Sequence, residues 1–421
     1  MTGSAILVGV FLVYGVMAAR LDRWFVSAPI FFLFAGLALG PSGANKLPLD
    51  LDSETTLVIT ELTLGVLLFA DAATVRLREV EGDARLPGRL LLVGLPLTIA
   101  LGTVAARMLF PEAGWAAAAL IGTILAPTDA ALGLAVVTNT GVPARIRRAL
   151  NVESGLNDGI ATPFVTLFLA LLVSEEGLST QHWATEATKQ IGLALVVAAL
   201  VGIVGGKLIV LARRRGWTTS GSEQLGVLAL ALLSYLGSVA IGGNGFVAAF
   251  VGGLLLGAST TAKMLQPVEF TETIGLVASF FVWTIFGALF VGPVLAGHID
   301  PIAILYAILS LSLVRMVPVA AALAGIGLRR DTVAFMGWFG PRGLASVVFT
   351  LIAVEELHGT GSIPDALTQL ATWTILLSVV AHGVSAGPLA RIYGRRVRAA
   401  GAIPELADAP EPRVRRRSLA T

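Results

Sequence analysis

Thirteen stretches of apolar residues, separated by short polar connections, restrict this chain more than any other feature. They run approximately from Ala5 to Ala19, Val26 to Leu39, Thr56 to Val75, Leu90 to Phe110, Trp115 to Val137, Ile146 to Val173, Ile191 to Leu211, Leu225 to Ile241, Phe246 to Leu256, Ile274 to Val291, Ile302 to Leu323, Val333 to Val354 and Leu367 to Val384. A helix crossing a bilayer core needs about 20 predominantly apolar residues. Most of the stretches approach that length; the second and ninth fall short and are expected to be tilted or shallow. With 56% hydrophobic and 13% charged residues in 421, no sizeable soluble domain fits beside them. The expectation is an all-α polytopic membrane protein with about 13 transmembrane helices. Residues 1–390 form its membrane domain, and 391–421 an Arg-rich cytoplasmic tail that is disordered. Met1 to Arg20 has no basic residues ahead of its apolar run, so it reads as a retained first helix and not as a leader.

Basic residues are unevenly placed. If the N-terminus is outside, the outside connections carry only Lys46 and Lys189, whereas the inside ones hold Arg20, Arg23, Arg76, Arg78, Arg85, Arg89, Arg145, Arg147, Arg148, Arg213 to Arg215, Lys263, Arg329 and Arg330. Lys and Arg accumulate on the cytoplasmic side, so the N-terminus is expected outside and the C-terminus inside. Cysteine is absent, which excludes disulfides, thiol catalysis and thiolate metal sites. There is no nucleotide loop, metalloenzyme motif or nucleophilic triad, so neither an enzyme nor a cofactor is expected. The 47 glycines suit helices packed closely in a membrane.

The sixth stretch contains Glu153-Ser154-Gly155-Leu156-Asn157-Asp158. Ionisable groups at membrane depth are rare and mostly mark ion or proton paths, although a water-lined packing network is the bland alternative. At about 100° per residue, Ser154 and Asp158 stack on one helix face while Glu153 and Asn157 form a second stripe. The two carboxylates therefore meet different partners. Pro163 cannot donate to the carbonyl of Gly159, which loosens the helix next to Asp158.

Two other stretches interrupt themselves. The fifth contains Ala126-Pro127-Thr128-Asp129, and the twelfth Gly340-Pro341-Arg342-Gly343. Pro127 leaves the carbonyl of Thr123 without its helical donor, so backbone oxygens near the break can meet a cation. The breaks lie seven segments apart and therefore have opposite membrane orientation. Paired broken helices of this kind point to an inverted-repeat secondary transporter with its site near the midplane. Each charge also complements a half-helix end, a cation near C-terminal carbonyls and an anion near N-terminal amides.

Arg315, deep in the eleventh stretch, cannot stay unpaired, since even a lenient scale charges about 2.5–3.5 kcal/mol for it there. Glu153 is its natural partner in a structural ion pair, which leaves Asp158 as the titratable carboxylate. Asp71 either attracts or coordinates a cation or caps the inner helix end near Arg76. Glu61, Lys207, Glu269 and Glu272 lie near segment ends and read as snorkelling or capping groups. His382 reads as a hydrogen-bonded packing residue ahead of a proton relay.

Taken together, Ala126-Pro127-Thr128-Asp129, Glu153-Ser154-Gly155-Leu156-Asn157-Asp158-Gly159, Arg315 and Gly340-Pro341-Arg342-Gly343 resemble the signature positions of the monovalent cation/proton antiporters of the NhaP and NHE branch. The resemblance covers the whole transmembrane region. It implies an NhaA-like fold of inverted repeats with two discontinuous crossing helices, a core domain moving against a dimerisation domain, and a homodimer. It further implies that Asp158 binds cation or proton, beside Asn157, with Ser154 and the Thr128 backbone as ligands of the monovalent cation and Asp129 close by. Glu153 would pair with Arg315. The Asn-Asp form resembles the branch regarded as electroneutral. The chain departs from the common pattern at Ala130, where Pro is frequent, and Asp71 is a looser match.

The residues alone lead to a compatible mechanism. A hard monovalent cation wants oxygen ligands, which Asp158, Ser154 and freed carbonyls supply. If cation and proton compete for one carboxylate and its empty form does not cross, one-for-one antiport of Na⁺ (or Li⁺) against H⁺ follows. The expected partners are these ions and membrane lipid, in a prokaryotic-type plasma membrane, with pH homeostasis as the role. The same fold selecting K⁺, a sodium-coupled symporter of an organic solute, and a channel or sensor are the alternatives.

Overall fold

The computed structural model describes residues 2–24, 26–47, 54–74, 85–129, 131–174, 180–259, 265–357, 363–400 and 403–406, and among them all regular structure is helical. In chain order, α1 is Thr2–Arg23, α2 Ala28–Leu39, α3 Glu54–Thr74 and α4 Arg85–Leu109. A discontinuous helix follows, made of α5 (Gly114–Ile124) and α6 (Leu134–Val137). Next come α7 (Ala144–Ser174), α8 (Thr180–Ala199, prolonged as Gly206–Arg214), α9 (Ser220–Ala240), α10 (Gly245–Ser259) and α11 (Leu265–Phe286, prolonged to Ala296). The chain continues with α12 (Pro301–Leu311), α13 (Leu313–Leu323), a second discontinuous helix of α14 (Arg330–Trp338) and α15 (Leu344–Glu356), and α16 (Ile363–Ala399).

Nine of the described helical segments are long and apolar enough to cross a membrane. The sequence counted thirteen apolar stretches. Two of the other four are the shorter apolar helices α2 and α10, and two are the broken pairs α5/α6 and α14/α15, which reach that length only across their interruptions. Large apolar side chains face outward along α1, where Val8, Leu12 and Val16 are each more than two-thirds exposed. The chain is an integral membrane protein.

Proline marks two wide turns inside long helices. Leu90–Gly94 and Gly287–Val291 are π-helical, and in both cases a proline, Pro96 or Pro293, stands at the second residue beyond the turn. A wider turn accommodates a ring that can neither donate to the preceding turn nor fit against its carbonyl. Pro163, by contrast, sits inside α7 without ending it.

The chain divides into two compact units, one of Met1–Leu57, Arg85–Ser154 and Phe280–Thr421, the other of Val58–Ala84 and Gly155–Ser279. In the first, Leu86 and Leu90 of α4, Ile146 and Leu150 of α7, Val319 of α13, Phe335 and Met336 of α14 and Tyr393 and Val397 of α16 share one buried apolar cluster. In the second, α10 lies directly on the backbone of α3. A Cβ at Gly253 would overlap the Phe69 carbonyl, and one at Gly257 would crowd that of Ala73. Such glycines let membrane helices approach closely enough for dispersion to hold them without a hydrophobic driving force. Gly253→Ala is therefore expected to destabilise by about 1–3 kcal/mol, because backbone cannot move aside as a side chain can. Gly192→Ala, with nothing within 4 Å of its new Cβ, should be neutral or slightly stabilising. Thermal melts of the two variants in detergent compare them directly.

α16 continues past Arg391 to Ala399, with Tyr393 and Val397 buried, so the helix takes in the first residues assigned to the tail. Beyond it, Pro404–Leu406 form one 3₁₀ turn. There the buried Glu405 carboxylate accepts from the Arg329 backbone N–H and the Thr332 hydroxyl, each at 2.8 Å, and Arg145 donates to the Pro404 carbonyl at 2.8 Å. The tail from 407 onward lies outside the described residues.

Candidate functional site

Each break is built by proline. α5 stops at Ile124 because Pro127 has no N–H for the helix to continue with, and α14 stops at Trp338 ahead of Pro341. The two interruptions meet in the first unit, where the Asp129 N–H donates to the Pro341 carbonyl at 2.8 Å. Arg342 reaches across the other way. Its guanidinium donates to the Ala126 carbonyl at 2.6 Å, to that of Pro127 at 3.4 Å and to that of Ser310, at the end of α12, at 3.2 Å. A cation thus lies among carbonyls that helix ends leave without donors.

Asp129 performs the opposite task. One carboxylate oxygen accepts from the N–H groups of Ala131 at 2.6 Å and Leu132 at 3.3 Å, the other from the Leu344 N–H at 2.9 Å, the first amide of α15. Both oxygens are occupied by backbone donors. The sequence placed Asp129 among the cation-binding groups; in the structure its carboxylate caps the half-helix, held by amides and helix dipole together. Ser346 adds a further tie to the Ile124 carbonyl at 2.7 Å. Side chains are excluded where the segments meet: a Cβ on Gly343 would overlap Asp129, and one on Gly340 the Arg315 guanidinium.

Arg315 and Glu153 form a two-point ion pair, Nη1 to Oε1 at 2.6 Å and Nη2 to Oε2 at 3.0 Å, with each residue only 2% exposed. One residue along α7, the Ser154 hydroxyl lies 3.0 Å from Thr128 Oγ1, which ties the sixth stretch to the first break. The boundary between the units falls after Ser154, inside a helix that continues without interruption through Asn157 and Asp158. Asn157 is buried and Asp158 half-buried, and the Thr162 hydroxyl donates to the Asp158 carbonyl at 2.9 Å. Asp71 is half-buried in α3, where its carbonyl accepts from Thr74 Oγ1 at 2.7 Å. Arg76, weighed as its partner, lies outside the described residues. Glu61 is not at a helix end: it sits well inside α3, and its carboxylate accepts from the Tyr235 hydroxyl at 2.9 Å.

The family model for "Sodium/hydrogen exchanger, transmembrane" matches residues 6–392. This chain belongs to the sodium/hydrogen exchanger family. Members are transporters, not enzymes. Among similar proteins, the K(+)/H(+) antiporter NhaP2 of Shewanella sp. (strain ANA-3) is 23% identical over 92% of this chain. The chain spans 66% of that relative's length. The Na(+)/H(+) antiporter ApNhaP of Aphanothece halophytica is 24% identical, over 85% of this chain and 69% of its own. Among solved structures, the sodium proton antiporter MjNhaP1 from Methanocaldococcus jannaschii superposes with a TM-score of 0.75 at 21% identity, covering 92% of this chain and 97% of that one. That likeness shows the fold.

In this exchanger-family chain, several groups that hold the crossing carry no sequence signal of their own. The Ser310 carbonyl and the Ser346 hydroxyl become visible only in three dimensions. Ser378, whose hydroxyl accepts from the Arg342 N–H at 2.7 Å, gave one faint sign, a polar residue four before His382 in an apolar helix.

Proposed function

We propose that the chain exchanges a monovalent cation, Na⁺ or Li⁺, for H⁺ by alternating access, electroneutrally, with Asp158 as the carboxylate that cation and proton share. The observation that carries this reading is the placement of polar oxygens along α7. Ser154, one helical turn before Asp158 on the same helix, is joined to Thr128 at the first break. Ser154 and the backbone at Thr128 are the further cation ligands, with Asn157 beside them and Asp71 serving cation access. The cation is the substrate, and oxygen donors of this kind suit a hard monovalent ion.

K⁺ is a second reading, because relatives named for K⁺ and for Na⁺ are almost equally similar to this chain. The reading includes a homodimer in a prokaryotic plasma membrane, with the N-terminus outside and the Arg-rich end facing the cytoplasm, as the placement of Lys and Arg supports.

The test uses the full chain in vesicles with an inside-acid gradient and a pH-sensitive dye, adding Na⁺, Li⁺ or K⁺ outside. Recovery with Na⁺ and Li⁺, at a rate unaffected by an imposed potential, is the expected result. Recovery with K⁺ alone moves the assignment to the second reading, and no recovery with any of the three from folded protein overturns both.

A further inference from the structure

In an unbroken helix the Arg342 N–H would donate to the Trp338 carbonyl, four residues back. Across the second break that bond is missing, and two side chains of α16 stand in its place. The Arg342 N–H donates to Ser378 Oγ at 2.7 Å. Ser378 Oγ is 3.2 Å from His382 Nδ1, and His382 Nε2 is 2.8 Å from the Trp338 carbonyl oxygen. With Nε2–H donating to Trp338, the amide on one side of the gap is held by Ser378 and the carbonyl on the other by His382, both on α16. Nδ1, which then carries no hydrogen, faces the hydroxyl and the carbonyl of Ser378 in its own helix.

The arrangement is specific to the gap. Ser378 and His382 share one face of α16 at helical spacing, and both are at most 1% exposed. On the same face, Ser385 accepts from the Trp338 indole N–H at 3.0 Å, and the His382 ring lies 5.1 Å from the Trp338 ring. A serine and a histidine that only filled space would need no partners at the two lips of the break.

We propose that Ser378 and His382 are positioning residues for transport: a hydrogen-bonded bridge from α16 that sets the distance between Trp338 and Arg342, and so holds the Arg342 guanidinium on the carbonyls of the first break. This rests on the proposed antiport, for which the crossing must keep its geometry while the site changes access. Removing one atom of the bridge leaves a buried amide or carbonyl without its partner and lets the segment between Trp338 and Arg342 relax.

The experiment has two arms on the full-length protein. In vesicles, Ser378→Ala and His382→Leu are expected to lower the maximal exchange rate about tenfold or more, as loss of a buried hydrogen-bond partner at the working geometry implies, with the half-saturating cation concentration changed less than about threefold. His382→Gln, whose amide can still donate towards Trp338, and Ser378→Thr should recover most of the rate. The double variant Ser378→Ala/His382→Leu should be no slower than the slower single one, since either change releases one end of the same brace. In the second arm, hydrogen exchange by mass spectrometry on peptides covering 338–344 should accelerate in Ser378→Ala and not in Ser378→Thr.

Wild-type rate in folded Ser378→Ala overturns the proposal, as does unchanged amide protection or a loss in His382→Gln equal to that in His382→Leu. If His382→Leu fails to fold, Ser378→Ala, which removes a single oxygen, decides the matter. If the wild-type protein itself shows no cation-driven proton movement, the functional reading fails separately, and amide exchange alone then decides whether the bridge holds the gap.

Discussion

Asp158→Asn is expected to abolish cation-driven proton movement, lowering it by at least about a hundredfold, while the protein inserts and melts as the wild type does. The substitution keeps the size and shape of the side chain and removes what antiport requires, a group that can hold either a proton or a cation. No comparable separation of activity from stability is expected at the other carboxylates of the region. Glu153 holds Arg315 at two points, and Asp129 holds three backbone amides, so neutralising either disturbs the scaffold. The measurement is the dye-reported exchange rate beside a detergent melt of the same preparation. Substantial exchange retained by Asp158→Asn would move the shared site to another carboxylate.

The Glu153–Arg315 pair should show the largest effect on stability. Breaking a buried ion pair by removing one partner costs about 3–5 kcal/mol, whereas replacing both by apolar residues of similar volume is often neutral. Glu153→Gln should be the more damaging single change. Arg342 is near enough to feel the charge of both Arg315 and Glu153, so loss of the carboxylate leaves two buried guanidinium groups repelling each other. Arg315→Met removes that repulsion and leaves Glu153 within the field of Arg342. The double variant Glu153→Leu/Arg315→Met should regain most of the melting temperature lost by either single one. A double variant that melts as low as the sum of both singles would show that the pair contributes stability beyond mutual neutralisation.

The fold class was legible because the bilayer leaves a chain of repeated apolar runs few options, and the two breaks were legible because proline and charge stand together in each. That Arg315 must be paired followed from cost, since a guanidinium deep in a membrane helix cannot stay without a counter-charge. Asp129 was harder. A carboxylate beside freed backbone reads as a cation ligand or as a helix cap, and the cap becomes visible only through Leu344, 215 residues later. The bridge through Ser378 and His382 and the seat of Glu405 were hidden for a similar reason. Each satisfies backbone groups far away in sequence, and backbone groups leave no mark in the alphabet of side chains.

That long-range character has a consequence for how the protein is made. Asp129 caps a half-helix that begins 215 residues later, and Glu153 waits 162 residues for Arg315. At about 5–20 residues per second of synthesis, roughly 10–40 s pass between the emergence of Asp129 and that of its partner amide. For that interval one oxygen of Asp129 and the carbonyls of Ala126 and Pro127 wait for partners that the first broken helix does not itself supply. Glu405 seats on the start of α14, 76 residues after Arg329 has left the ribosome. The crossing is thus closed only once segments 215 residues downstream have been made.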